Sequence, residues 1–220
     1  MKLTLLLAWK DLLIESRSKR RLSSLLMLSL VLVLLGSFAY RWQGEDAAYL
    51  PPLFWLVCVF TQLLFLGDAY NHEVESGCFD ALRISPAGSY PLLAGKLIAS
   101  LVWVFSVNVV SVLEISLFTG SGHLLRLDLL VLLLLEAIGL LSIGNLFFAR
   151  KASGSSTSLD LVPMVVTLAL PLVFLSMEIS QVTVRNVIQT DLTSYYGLLV
   201  AYVLFLVTFC SLFYRTLADE

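Results

Sequence analysis

An all-α integral membrane protein is the fold class that this sequence predicts, and composition and hydropathy together carry the prediction. Of the 220 residues, 59% are hydrophobic and only 14% are charged, whereas charged residues make up about a quarter of a typical soluble domain. Six apolar runs are long enough to cross a bilayer as a helix, which takes about 20 residues. The runs lack the alternation of a membrane-spanning strand, so helices are favoured over a β-barrel.

The predicted spans follow one another through short connections and fill a single domain of residues 1–220. They are expected at about residues 22–40, 50–67, 91–118, 127–148, 161–178 and 193–214. The third run is longer than a bilayer requires, so we expect that helix to tilt or to lie partly in the interface. The sequence shows no linker to a second domain and no periodic repeat.

The segment before the first span, residues 2–18, predicts a further helix that lies flat in the membrane interface. Its apolar residues recur near the spacing of one helical face, and charged residues occupy other positions. The apolar set is Leu3, Leu6, Leu7, Leu13 and Ile14, and the polar set is Lys10, Asp11, Glu15 and Arg17. Trp9 is expected at the depth of the lipid headgroups.

The distribution of basic residues predicts the orientation. With an even number of spans, both ends of the chain lie on one side of the membrane. Of the 14 Lys and Arg residues, only Arg41, Arg126 and Arg185 fall on the other side. Because cytosolic connections are rich in Lys and Arg, both termini and the connection between the second and third spans are expected in the cytosol.

That connection contains the residues from Asn71 to Pro86, NHEVESGCFDALRISP, which we call the acidic segment. If residues 73–82 form a helix, a small apolar face lies apart from the carboxylates. The apolar face would contain Val74, Cys78, Ala81 and Leu82, and the carboxylates are those of Glu73, Glu75 and Asp80. Two interpretations stand. The segment is either a docking surface for a cytosolic partner or a solvated loop whose charges keep it out of lipid.

The sequence lacks the motifs of the common catalytic and metal sites. It contains no Walker A sequence and no GxSxG, HExxH or GxGxxG motif. Cys58, Cys78 and Cys210 lie far apart without a CxxC pair, which argues against a zinc site or a disulfide framework. We therefore expect no catalytic site, no metal and, since the sequence has no basic stripe away from its N-terminus, no nucleic-acid partner. His72 and His123 fall on opposite sides of the predicted membrane, and each is either a haem ligand or a solvated loop residue.

Three polar residues inside the predicted spans form a candidate intramembrane site. Glu136 lies near the middle of the fourth span, where a carboxylate costs on the order of 2–3 kcal/mol unless it is protonated or paired. It either contacts a substrate or a proton, or it is a buried carboxyl bonded to a Ser or Asn of a neighbouring helix. Asn108 and Glu114 in the third span are weaker candidates, and Glu114 is expected near the outer boundary.

Several phrases of the chain resemble the CcmB family, the haem exporter protein B of bacterial cytochrome c maturation. The family carries a phrase of the kind E-x-E-x-G-x-x-E-x-L-x-x-S-P and then a Gly-Lys, after a span with P-x-x-x-W-x-x-x-x-F. The matching residues here are Glu73, Glu75, Gly77, Asp80, Leu82, Ser85, Pro86, Gly95 and Lys96, after Pro51 or Pro52, Trp55 and Phe60. Asp80 stands where the family usually has Glu, and Asp68 stands where it usually has a basic residue.

The resemblance implies an ABC-2-type permease subunit of the bacterial inner membrane that works with a separate ATPase. ATP would bind to that CcmA-like partner, and haem would be the cargo, with no cofactor bound by this chain itself. Further implied partners are CcmC-like and CcmD-like haem-handling subunits, a second copy of the chain and the lipid bilayer. The residues implied to contact the ATPase are Glu73, Glu75, Gly77, Phe79, Asp80 and Leu82.

Alternative functions remain open on the sequence alone. An ABC permease for a lipid, a drug or a polysaccharide would share the same architecture. A scaffold subunit that transports nothing would also fit six spans. A secondary transporter fits less well, because inverted repeats and a cluster of midplane charges are not visible in the sequence.

Overall fold

The computed structural model describes residues 2–17, 19–44, 46–75, 89–120, 122, 126–152, 158–185 and 192–219. These residues form seven α-helices and one short 3₁₀-helix, and no β-strand occurs among them. The helices are α1 (Lys2–Arg17), α2 (Lys19–Trp42), α3 (Leu50–Glu75), α4 (Ser89–Thr119), α5 (Leu127–Ala152), α6 (Ser158–Arg185) and α7 (Leu192–Asp219), and the 3₁₀-helix is Ala47–Tyr49.

Six of these helices, α2 to α7, are long and apolar enough to cross a membrane. Their apolar stretches are Arg21–Trp42, Leu50–Gly67, Pro91–Thr119, Leu127–Phe147, Pro163–Arg185 and Leu192–Tyr214. Each coincides with a predicted span, so the prediction of an all-helical, multi-pass membrane protein is confirmed. The fifth differs most, because α6 continues to Arg185 rather than ending near residue 178. The added residues, 179–185, contain neither Gly nor Pro, so nothing local stops the helix.

Helix α5 lies at the centre of the bundle, where it packs against α3, α4, α6 and α7. In its apolar stretch 61% of the residues are buried, compared with 22% for α2 and for α7. Apart from Glu136, the run LLVLLLLEAIGLL is apolar on every side, which is what a helix surrounded by other helices requires. Helix α3 is the next most buried and packs against α2, α4, α5 and α6.

The outer face of α2 is apolar and exposed, as expected for a surface in contact with lipid. Met27, Val31, Leu35 and Phe38 follow the spacing of one helical face and are between 48% and 68% exposed. A water-soluble protein rarely leaves such a continuous apolar face uncovered. The exposed row therefore supports the membrane assignment independently of the length of the helix.

Local signals explain the tight connection between α2 and α3. Gly44 adopts a φ of 79° just after α2 ends, a conformation that glycine reaches without the penalty of a side chain. The carboxylate of Asp46 then accepts a hydrogen bond of 3.0 Å from the backbone N–H of Ala48. This contact begins the 3₁₀-helix, which leads directly into α3.

The predicted N-terminal helix is present as α1 and packs mainly against α4. Its exposed side is an apolar stripe, formed by Leu5, Leu6, Trp9 and Leu13. Leu7 departs from the predicted apolar face, because it packs against Gly95 of α4 instead. A stripe of exposed apolar side chains opposite a face that packs on the protein is typical of an interfacial helix.

Candidate functional site

Helix α3 carries the first five residues of the acidic segment, 71–75. It runs without a break from the second span through Glu75, so that Glu73 and Glu75 lie on its last two turns. The side chains of these two residues are outside the described part of the structure, and so are Gly77, Phe79, Asp80 and Leu82. His123 also lies outside it, and His72 is described only as part of the backbone of α3.

The indole of Trp55 fixes α3 to α6. It is 1% exposed and has the largest side chain of the fully buried residues. Its Nε1–H donates a hydrogen bond of 2.9 Å to the hydroxyl oxygen of Ser180. That hydroxyl lies 2.8 Å from the carbonyl oxygen of Ser176 and can donate to it. Trp55 is also one of the residues on which the sequence resemblance rests, so a residue singled out by sequence joins two spans here.

The second buried hydrogen bond that joins α3 to another helix lies between Gln62 and Glu136. The side-chain Nε2 of Gln62 donates a hydrogen bond of 2.8 Å to Oε2 of Glu136 on α5. Both residues have no exposed surface. The bonded neighbour is a glutamine, whereas the sequence suggested a Ser or Asn. Because the amide of glutamine stands further from its helix, it can reach the central helix from α3.

Asn108 joins the same region from α4. It is fully buried, and its Oδ1 lies 3.3 Å from the hydroxyl of Thr61 on α3. Since Thr61 and Gln62 are consecutive, neighbouring residues of α3 hold α4 and α5 through polar contacts. Glu114, the third sequence candidate, lies apart from this group. It is half-buried and accepts a hydrogen bond of 3.0 Å from Ser29 of α2.

Sequence reasoning missed Gln62 although a signal was present. Gln62 is a polar amide inside an otherwise apolar stretch, five residues before the stretch ends at Gly67. A buried amide needs hydrogen-bond partners, so its presence in a span predicts a polar neighbour on another helix. Only the fold reveals that this neighbour is Glu136.

Gly95 and Lys96, a pair that the sequence resemblance also singles out, lie where α1 packs on α4. A Cβ added at Gly95 would lie 3.0 Å from Cβ of Leu7 and 3.2 Å from the backbone oxygen of Thr4. The backbones of α1 and α4 can therefore approach closely only because residue 95 has no side chain. Lys96, the next residue, is only 6% exposed.

An ion pair between Glu15 and Arg21 holds the end of α1 against α2. Only 12% and 14% of the two side chains are exposed. Burial raises the pKa of Glu15 above its ordinary value, and the Arg21 guanidinium and the charge of Lys96 oppose this increase. These three residues therefore form a charged group where α1, α2 and α4 meet, on the side of α1 opposite its apolar stripe.

Among the described residues, no three His, Cys, Asp or Glu side chains come together in a way that suits a metal ion. Cys58 and Cys210 are buried free thiols.

Comparison of the chain with protein-family models, with curated proteins and with solved structures gives no match. The polar side chains described above join helices to one another, and three of the five contacts involve α3.

Proposed function

We propose that this chain is the membrane subunit of an ABC transporter and that its acidic segment docks on a separate ATPase subunit. The similarity of residues 73–96 to the CcmB family motif supports this proposal. The transport step would be haem export or delivery during c-type cytochrome biogenesis. The membrane would be the bacterial inner membrane, with both termini in the cytosol, as the distribution of Lys and Arg indicates.

The observation that carries the proposal is the continuity of α3 into the acidic segment. Force applied by a partner to Glu73 or Glu75 would act on the end of a membrane-spanning helix rather than on a flexible connection. Gln62 lies 11 residues before Glu73, which is ~16 Å along a helix. A displacement of the acidic segment would therefore be transmitted along α3 to its buried hydrogen bonds without an intervening hinge.

Two buried hydrogen bonds of α3 would transmit movement of the acidic segment to other helices of the bundle. The Gln62–Glu136 bond connects α3 to the central helix α5, and the Trp55–Ser180 bond connects it to α6. Shear between packed helices is a common way for an ATP-driven partner to move membrane spans. In this mechanism a movement of α3 displaces α5 and α6.

Charge reversal in the acidic segment tests the proposal. The double change Glu73→Lys and Glu75→Lys is expected to abolish co-purification of an ATPase subunit in mild detergent, because like charges would then face the partner's basic side chains. The chain itself should still insert, since both residues lie beyond the apolar stretch of α3. Quantitative mass spectrometry of the purified complex provides the measurement.

A matched control reverses the same amount of charge elsewhere on the predicted cytosolic side. Asp219→Lys with Glu220→Lys should leave ATPase recovery at the level of the unmodified chain. Full recovery of the ATPase with the Glu73 and Glu75 variant would contradict the docking assignment. The same purification tests the cargo, because haem-handling subunits should accompany the ATPase, whereas an ATPase without them would indicate another substrate.

A further inference from the structure

The contact between Gln62 and Glu136 leaves two polar atoms without a partner. One hydrogen bond joins Nε2 of Gln62 to Oε2 of Glu136. The remaining oxygen of each side chain, Oε1 of Gln62 and Oε1 of Glu136, is buried and has no hydrogen-bond partner within the described part of the chain. Both atoms are acceptors if Glu136 is ionised, so the two could not satisfy each other.

We propose that Glu136 binds a proton in the folded protein and, as a neutral acid, forms a two-bond pair with the amide of Gln62. The carboxylic O–H then donates to Oε1 of Gln62, while Nε2 of Gln62 continues to donate to the carbonyl oxygen of the acid. One proton converts one of the two leftover acceptors into a donor for the other. The terminal torsions of both side chains are broad, so the two groups can rotate to align the pair.

The surroundings of Glu136 favour the neutral form. It lies nine residues after the start of its apolar stretch and eleven before the end, and it is fully buried. A charge at this depth is costly unless a cation compensates it. The apolar stretches of α3 and α5 contain no Lys, Arg or His, and those of α4 and α6 contain only Lys96 and Arg185, near their ends.

Cys58, a titratable side chain close to Gln62, does not supply a cation for Glu136 either. Cys58 lies one helical turn before Gln62 on the same face of α3 and is a buried thiol. Lys96 contributes its charge to the group around Glu15, at the junction of α1, α2 and α4. A proton is therefore the simplest ligand that satisfies both oxygens, and the resulting joint between α3 and α5 carries no net charge.

The proton on Glu136 is independent of what docks on the acidic segment, so it can be tested on the isolated chain. We expect the infrared spectrum of the full chain in lipid nanodiscs at neutral pH to contain a protonated carboxylic acid C=O band that Glu136→Gln removes completely. Glu114→Gln is the matched control, because among the described spans Glu114 is the other carboxyl that is not exposed, whereas Asp128 and Glu178 are exposed, and it should leave the Glu136 band in place. Loss of carboxylate bands, rather than the acid band, in Glu136→Gln would overturn the proposal.

A second variant tests the partner and remains informative if Glu136→Gln fails to insert. In Gln62→Leu the acid loses its amide neighbour, so its C=O band should persist but move to higher frequency. An unchanged band position in Gln62→Leu would show that the amide is not paired with the acid. If carboxylate bands replaced the acid band in Gln62→Leu, the depth and burial of the site would not be enough to keep Glu136 protonated, and the proposal would likewise be contradicted.

Discussion

Replacing Trp55 by Ala is expected to lower the free energy of unfolding by about 3–5 kcal/mol, the range found when large buried aromatic side chains are truncated. The indole is 1% exposed and packs against Phe54, with ring centroids 5.0 Å apart. Its removal would leave a cavity between α3 and α6. It would also remove the indole N–H that donates a hydrogen bond to the Ser180 hydroxyl. Equilibrium unfolding in mixed detergent micelles measures the loss.

Trp42 provides the matched control for this change. It is 92% exposed at the end of α2, so Trp42→Ala should leave the free energy of unfolding nearly unchanged. Trp55→Phe should fall between the two, since it loses the hydrogen bond but keeps much of the packing. A Trp55→Ala protein as stable as the Trp42→Ala protein would mean that α3 and α6 do not pack as described.

Replacing Gly95 by Val is expected to separate α1 from α4. The Cβ alone would lie 3.0 Å from Cβ of Leu7, 3.2 Å from the Thr4 oxygen and 3.4 Å from the Ala8 nitrogen. These atoms belong to the backbone of α1 or adjoin it, so no rotation of a side chain can make room for two further methyl groups. Trypsin cleavage after Lys10 and Arg17 should then become about tenfold faster or more, because cleavage requires local opening and the substitution raises the population of the open form.

The same substitution at Gly197 serves as the control. A Cβ there would meet no atom within 4 Å among the described residues, so Gly197→Val should leave cleavage near the N-terminus unchanged. Release of the N-terminal peptide can be followed by mass spectrometry over time. Equal rates for the Gly95 and Gly197 variants would contradict close packing of α1 on α4.

The spans could be predicted from the sequence because their physical cause is local. An apolar run of sufficient length must form a helix in lipid, since no other structure satisfies its backbone without neighbours. The ends of the helices were harder to predict, because hydropathy marks where lipid ends and not where a helix ends. Between Asp68 and Glu75 most residues are polar, but none is Gly or Pro, and α3 continues through them.

The contacts between spans could not be predicted, because sequence spacing does not encode which helices become neighbours. Trp55 and Ser180 are 125 residues apart, and Gln62 and Glu136 are 74 apart. The sequence identified Glu136 as a carboxyl that needs a partner, since its position in a span is costly, but chain position gave no distance to Gln62. The role of Gly95 was similarly hidden until α1 was found against it.

A native thiol tests directly whether the acidic segment faces the cytosol, where we propose that it docks on an ATPase. Cys78 lies within the acidic segment, while Cys58 and Cys210 are buried in the bundle and give little background. A membrane-impermeant maleimide should label Cys78 in inverted membrane vesicles but not in intact cells, and Cys78→Ser should abolish the signal. Labelling of Cys78 from outside intact cells would contradict the account.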